Sequence, residues 1–385
     1  MIRTAALLLT LGLAAPLAAQ VVAPVPPAPS AADAAGPAPG WSGSPACCEA
    51  LVAELRALLR DSMARAGIPG AQVAVMRDGR LVWSEGIGFA DLEQGVGVTT
   101  GTRFRAGSVS KSLTSAAIGL LVEQGRLDLD AEVQRYVPTF PRKRWPVTVR
   151  QVAGHLAGIR HYQGDEFASR TRYSDVRAGL AVFQDDSLLV EPGTRYLYSS
   201  YGWNLLSAVV EAAAGRPFLE VMSADVFRPL GMTHTGADHA DSLVAGRARW
   251  YTVADSGSAI LNAPYVDNSL KWAGGGFLST AEDLAAFGDA LAAGRLIRRE
   301  TAETLWTAMR LRDGRTTNYG VGWVVRADGA GRRWVGHSGG SMGGTAYLVV
   351  YPEVRLSLAL LVNSDQPLVG LAPLLAARFR SLEAP

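Results

Sequence analysis

Strand patterns open the folded part of this chain and strand patterns close it, with a helical block between them. At the front, Gln72–Met76 and Leu81–Ile87 read as two strands joined by the turn Arg77-Asp78-Gly79-Arg80, a hairpin signal. At the back, Gly320–Val325, Arg333–Gly336, Thr345–Tyr351 and Arg355–Val362 read as strands again. From about 113 to 265 the pattern is mostly helical, with helices expected near Val149–His155, Tyr201–Ala214 and Phe218–Val226. The economical solution is one antiparallel sheet assembled from both chain ends. Two helices would flank it: Glu49–Ala66, with Leu51, Leu55, Leu58, Leu59 and Met63 at helical spacing, and Gly370–Arg380. The expected fold class is α/β in the mixed (α+β) sense: an antiparallel sheet flanked by helices, plus an inserted, mostly helical lobe. That divides a domain over 49–385 into an α/β lobe, about 49–112 and 266–385, and a helical lobe, about 113–265. A cleft between two such lobes is where ligand sites tend to lie.

Composition supports this and narrows the partners. With 48% hydrophobic and 19% charged residues, 385 residues suffice for a well-buried core. A net charge of +2 argues against a nucleic-acid partner, which would need a concentrated basic face. Residues 1–20 read as a signal peptide: Arg3, an apolar run from Ala5 to Ala15, and Leu17-Ala18-Ala19 before Gln20. A mitochondrial presequence is the competing reading, but those are rich in Arg and Ser, and this stretch holds a single Arg and no Ser. Residues 21–46 form a Pro/Ala-rich linker. No later segment reaches transmembrane length, so the expectation is a periplasmic or secreted protein without an integral membrane segment once the signal is removed. Adjacent Cys47 and Cys48 leave three readings: a strained vicinal disulfide, pairing between chains, or two idle thiols, the last being preferred because no metal or redox motif lies nearby.

Of 37 basic residues only Lys111, Lys143 and Lys271 are lysines. A guanidinium stays charged at any working pH, whereas a desolvated ammonium can lose its proton, so a lysine here can mark a proton-handling site. Ala106-Gly107-Ser108-Val109-Ser110-Lys111-Ser112 heads a helix expected from Ser108 to Gln124 and stopped by Gly125. Residues three apart share a helix face, displaced by about 4.5 Å along the axis. A hydroxyl is a poor nucleophile until something takes its proton, and a buried neutral amine can do so. Backbone N–H groups at a helix N-terminus can in turn stabilise an oxyanion. Alone, S-x-x-K more often means a capping Ser and a solvated Lys. Two further elements change that: Tyr198-Ser199-Ser200, just before the apolar helix Gly202–Val210, and His337-Ser338-Gly339-Gly340, at the end of the strand Arg333–Gly336.

In order and spacing these three elements resemble the motif set of the serine β-lactamase and penicillin-binding protein family. The likeness is to the class C β-lactamase, D-Ala-D-Ala peptidase and esterase branch, whose second element begins with Tyr and whose third is Lys-Thr-Gly or His-x-Gly. It extends through Gly67-Ile-Pro-Gly70, Trp83-Ser-Glu-Gly86, Gly274-Gly-Gly-Phe-Leu-Ser-Thr280 and Tyr319-Gly-Val-Gly-Trp323, from about Ala66 to Asn363. Gly125-Arg-Leu-Asp-Leu-Asp130, Tyr136-Val-Pro and His155-Leu-Ala-Gly-Ile-Arg-His-Tyr162 look most like the animal mitochondrial branch, while the export-type N-terminus points to a bacterial relative. The resemblance implies that Ser108 is acylated and that Lys111 and Tyr198 share the movement of its proton, Tyr198 serving the leaving group. It implies that His337 lines the opposite wall and helps orient substrate and the Tyr198 hydroxyl. It makes the backbone N–H groups of Ser108 and Gly340 the oxyanion hole, with Ser200, Ser338 and Gly339 against the substrate. It implies no metal or organic cofactor and a small acyl substrate (peptide, ester or amide), and leaves the oligomeric state open.

One departure bears on substrate. The family's second motif usually ends in Asn, whose amide holds the acylamido group of a peptide or β-lactam; here Ser200 stands there, with one hydroxyl and a shorter reach. Peptidase or esterase activity with weak or absent β-lactamase activity is expected. Gly339-Gly340-Ser341-Met342-Gly343 also fits the G-x-S-x-G elbow, but a strand pattern follows it and all five histidines precede Ser341. His155/His161 and His234/His239 lack zinc-site spacing and read as surface or packing residues. The remaining rival is a catalytically silent binding or assembly protein on the same fold.

Overall fold

The sheet expected from the two chain ends is present in the structure, a computed structural model that describes residues 46–254 and 259–381. The signal peptide 1–20 and the linker up to residue 45 lie outside the described residues; Ala46 already belongs to the first helix. In chain order the elements are α1 (Ala46–Ala66), β1 (Gly70–Arg77), β2 (Arg80–Asp91), β3 (Val96–Gly97), β4 (Phe104–Arg105), α2 (Val109–Glu123), α3 (Val149–Ala153), α4 (Ser200–Ala214) and α5 (Phe218–Val221). There follow β5 (Gly236–Ala237), β6 (Tyr251–Val253), β7 (Ile260–Asn262), α6 (Trp272–Gly275), β8 (Phe277–Ser279), α7 (Ala281–Ala292) and α8 (Arg299–Leu305). The chain closes with β9 (Val324–Ala327), β10 (Arg333–Ser341), β11 (Gly344–Tyr351), β12 (Leu356–Val362) and α9 (Leu371–Arg380).

The main sheet has seven strands in the order β3-β2-β1-β12-β11-β10-β9. Every pairing in it is antiparallel, and β1 lies between its hairpin partner β2 and the last strand β12, with Val73 opposite both Glu85 and Leu360. Alternation along the strands feeds two cores. Ala71, Val73 and Val75 of β1 and Leu356, Leu358, Leu360 and Val362 of β12 pack with Leu55 and Leu59 of α1 and Leu375 and Phe379 of α9. The other faces, including Ala74, Leu348, Ala359 and Leu361, meet Leu113 and Ala117 of α2, Leu284 and Phe287 of α7 and the core of the inserted segment. Burying a Leu of this kind contributes about 1.5–3 kcal/mol. Both sheet faces are covered, which explains why β12 is an uninterrupted apolar run apart from Ser357.

Three expectations need correction. The stretch 113–265 is less helical than its pattern suggests: between α3 and α4 the chain is irregular, with short 3-10 turns at Gly164–Ala168 and Ala178–Val182, and β5, β6 and β7 lie toward its end. The helix expected at Phe218–Val226 is α-helical only to Val221 and continues as a wider π turn over Met222–Phe227. The strand expected at Gly320–Val325 begins only at Val324. Its first half is taken by α2 instead: Ser115 Oγ donates to the Val321 carbonyl at 2.5 Å and Ser112 Oγ to the Gly322 carbonyl at 2.8 Å. Gly322 makes this approach at φ +78°, with the Lys111 carbonyl 2.8 Å from where a Cβ would sit. Cys48 is buried on α1, and the side chain of Cys47 lies outside the described residues.

Candidate active site

The turn into α2 sets Ser108, the candidate nucleophile. Gly107 takes φ +48°, and the N–H groups of Val109, Ser110 and Lys111 close back onto the carbonyls of Ala106, Gly107 and Ser108. Ser108 occupies the N-cap position, but its side chain makes no capping bond. The ordinary reading of a Ser at a helix start therefore does not apply, and its Oγ is available elsewhere. Tyr198, on the approach to α4, donates its O–H to Ser108 Oγ at 2.9 Å, and Lys111 Nζ lies 2.9 Å from the same oxygen.

Lys111 is fully buried, with its Nζ also 3.1 Å from Ser200 Oγ and 2.6 Å from the Gly274 carbonyl of α6. Desolvation pushes its ammonium well below the usual lysine range. A neutral amine has two N–H groups and one lone pair. Its N–H groups match Ser200 Oγ and the Gly274 carbonyl, and the lone pair then accepts from Ser108 O–H. Burial pushes the Tyr198 hydroxyl up to about 12, against the pull of the Ser108 and Ser200 hydroxyls, so it is a protonated donor at neutral pH. Tyr198, Ser108 and Lys111 form one directed chain.

Strand β10 closes the site from the other side. Alternation leaves Ser338 and Gly340 exposed on one face and buries His337, Gly339 and Ser341 on the other. A Cβ on Gly339 would sit 2.9 Å from the Ser108 nitrogen and press closer still on the Ala106 carbonyl, while a Cβ on Gly340 would meet nothing within 4 Å. A Cβ on Gly107 would in turn lie 2.8 Å from the Gly340 nitrogen, so the turn carrying the Ser108 N–H and the strand carrying the Gly340 N–H are in backbone contact. Ser341 ends β10 and is followed by β11, not by the helix that a nucleophile elbow needs.

Three of the expected site residues have defined surroundings. Gly339 is buried against the Ala106–Ser108 backbone and sets the spacing there. Ser200, at the place of the usual Asn, is buried and keeps the hydrogen bond to Lys111 that a serine hydroxyl can still make. His337 has both ring nitrogens engaged, Nδ1 2.6 Å from the Ser338 carbonyl and Nε2 2.8 Å from the Tyr319 hydroxyl. That pattern makes Nδ1 the donor and Nε2 the acceptor from Tyr319. Burial pushes this imidazole down to about 3, so it is neutral. Its ring centre is 6.4 Å from that of Tyr198, and no ring nitrogen remains for the Tyr198 hydroxyl.

Several site residues went unnoticed as such in the sequence. The Gly274 carbonyl, the Tyr319 hydroxyl, and the imidazoles of His155 and His161 all touch the constellation. Their signal was membership of the extended stretches around His155–Tyr162, Gly274–Thr280 and Tyr319–Trp323, which carried the likeness but no assigned chemistry.

Comparison with known proteins places the chain. The family model described as Beta-lactamase matches residues 55–380. The human protein "Serine beta-lactamase-like protein LACTB, mitochondrial" is 32% identical over 401 residues, covering 80% of this chain and 73% of the relative. Penicillin-binding protein 4* of Bacillus subtilis is 28% identical, covering 76% and 68%. Among solved structures, the octameric penicillin-binding protein homologue from Pyrococcus abyssi superposes with a TM-score of 0.73 at 27% identity, covering 83% of this chain and 75% of that one. The match across nearly all of the described residues, with a fold in common, means that this chain belongs to the beta-lactamase-like family of serine hydrolases.

Proposed function

We propose that the chain hydrolyses small esters, amides or peptides through an acyl-enzyme on Ser108, with little or no β-lactamase activity. The observation that carries this is the hydrogen-bonded chain from Tyr198 O–H to Ser108 Oγ to a desolvated Lys111 amine. As Ser108 Oγ attacks the acyl carbon, its proton passes to Lys111 Nζ, which the Gly274 carbonyl and Ser200 Oγ hold in place. The carbonyl oxygen becomes an oxyanion facing the N–H groups of Ser108 and Gly340. Collapse of the tetrahedral adduct breaks the bond to the leaving group, which takes the Tyr198 proton; Lys111 then reprotonates Tyr198 through the Ser200 hydroxyl, which hydrogen-bonds both. Water then attacks the ester, and the same groups return the proton in reverse order. No residue in this scheme asks for a metal or an organic cofactor.

Substrate preference follows from two placements. Ser200 is turned to Lys111, so no side-chain amide takes the place that Asn holds in β-lactam-processing relatives. His337 is neutral and engaged by Tyr319, so the usual ammonium of the third motif is also missing there. The N-terminal pattern of Arg3 and an apolar run supports export to the periplasm or the medium, and no helix among the described residues is long and apolar enough to cross a membrane. The test is a screen of p-nitrophenyl esters, D-Ala-D-Ala peptides, L-peptides and nitrocefin, with fluorophosphonate labelling of wild type beside Ser108→Ala. Ester or peptide turnover and labelling that both vanish in Ser108→Ala are expected. Absence of any covalent adduct on wild-type Ser108 refutes the proposal and leaves a silent binding protein.

A further inference from the structure

His155 combines two features that a folded chain rarely tolerates. It is a non-glycine residue at φ +61°, and its Nε2 is buried with no hydrogen-bond partner among the described residues. Only 2% of the residue is exposed. Costs of this kind persist where the surrounding structure holds them in place for a use.

What the conformation achieves is visible in the segment that leads into α4. The His155 carbonyl accepts from Leu197 N–H at 2.9 Å and its Nδ1 accepts from Ser199 N–H at 3.1 Å, so one residue grips both neighbours of Tyr198. His161 Nδ1 accepts from the next N–H, that of Ser200, at 3.2 Å. Between these two, the Arg160 carbonyl accepts from Ser199 Oγ at 2.6 Å. The rings also enclose the phenol: His155 lies 4.2 Å from the Tyr198 ring centre at 38°, and His161 lies 5.5 Å away, edge on at 83°. Tyr319 backs His155 at 4.7 Å. With Nδ1 accepting in both rings, each imidazole is the neutral Nε2–H form, and burial pushes both below the usual histidine range.

We propose that His155 and His161 are positioning residues that clamp the backbone on either side of Tyr198, aiming its hydroxyl so that it serves the leaving group. This rests on the proposed role of Tyr198 in proton delivery. Neither histidine touches Ser108 or exchanges a proton. A leaving group that departs as a stable anion, such as p-nitrophenolate, needs little protonation, whereas an alkoxide or amine needs it fully. A misaimed Tyr198 therefore penalises poor leaving groups selectively, which a general loss of structure would not do.

The test uses the full chain with His155→Asn, His155→Leu, His161→Asn and His161→Leu, and Tyr198→Phe as reference. Each is assayed on a p-nitrophenyl ester and on an alkyl ester or amide of the same acyl group. Asn carries an acceptor oxygen where the imidazole has Nδ1; Leu fills the space without one. The Leu variants should lose about 10–100-fold in kcat on the poor leaving group and only a few-fold on the p-nitrophenyl ester, with KM little changed. The Asn variants should recover most of that loss. Equal losses on both substrates without rescue by Asn, or full activity of folded Leu variants, overturn the clamp. If buried His155→Leu fails to fold, the exposed His161 pair and His155→Asn still decide the matter by the same ratio. Should Tyr198→Phe itself show no leaving-group discrimination while Ser108 still labels, the assigned role of Tyr198 fails and the clamp falls with it. Discrimination in Tyr198→Phe but not in the histidine variants refutes the clamp alone.

Discussion

Two adjacent glycines on β10 should respond oppositely to the same added methyl group. At Gly339 the new Cβ would stand 2.9 Å from the Ser108 nitrogen and deeper still into the Ala106 carbonyl, both of them backbone atoms with no rotamer to relieve the clash. Carbon contacts settle near 3.5–4.0 Å, so β10 and the start of α2 must separate by on the order of 1 Å. Overpacking of this kind costs about 1–3 kcal/mol of stability. The same displacement spreads the Ser108 and Gly340 N–H groups, and a misplacement of about 1 Å in a reacting constellation costs roughly 100-fold in rate. Gly339→Ala should therefore lower kcat/KM on a p-nitrophenyl ester by about 100-fold and slow fluorophosphonate labelling similarly. Gly340→Ala, whose Cβ meets nothing within 4 Å, should melt as wild type does and label at a comparable rate. A Gly339→Ala variant within three-fold or so of wild type, or a Gly340→Ala variant equally impaired, would refute the argument that contact between these two backbones sets the oxyanion donors.

Other outcomes follow from the same structure. Because the Lys111 amine must be neutral to accept a proton, kcat/KM should rise with pH as any residual ammonium titrates; the upper plateau should then persist into the alkaline range, until Tyr198 ionises near 12. Lys111→Arg, which cannot deprotonate, should lie flat near background across the profile. Folding releases a proton from Lys111, since its folded pKa lies below 10.5, so wild-type stability should gain on that of Lys111→Met as pH rises from the folded value toward 10.5. A urea titration at several pH values measures the difference. Buried Gln72 donates to the Thr99 carbonyl at 2.7 Å and accepts from Ala281 N–H, so Gln72→Leu should cost about 2–5 kcal/mol in urea unfolding by orphaning both groups.

The sheet and its flanking helices could be read because their signals are local. The turn Arg77–Arg80, the alternation of β1 and the apolar run of β12 each announce a strand, and burial of both faces follows once the two ends meet. Ser108 and Lys111 were legible for the same reason, lying three residues apart at the start of α2. What escaped was decided by distant partners. Gly320–Gly322 has strand composition, yet its carbonyls are claimed by hydroxyls of α2. His155 and His161 look like ordinary packing residues until the left-handed backbone at His155 turns its carbonyl and imidazole toward the segment that leads into α4. Their acceptors serve main-chain donors, which leave no trace in side-chain identity.

The placement of β1 between β2 and β12 has a consequence for biogenesis. A ribosome that has emitted residues up to α4 has already delivered the alcohol, the amine and the phenol. The strand that supplies the second oxyanion donor, and the one that seals the open edge of the first hairpin, are still to come. Until then β1 presents unpaired N–H and C=O groups along one side, a template for wrong partners. On the proposed mechanism, hydrolytic competence arrives with the final strands, and an incomplete polypeptide carries the three side chains without the apparatus to use them.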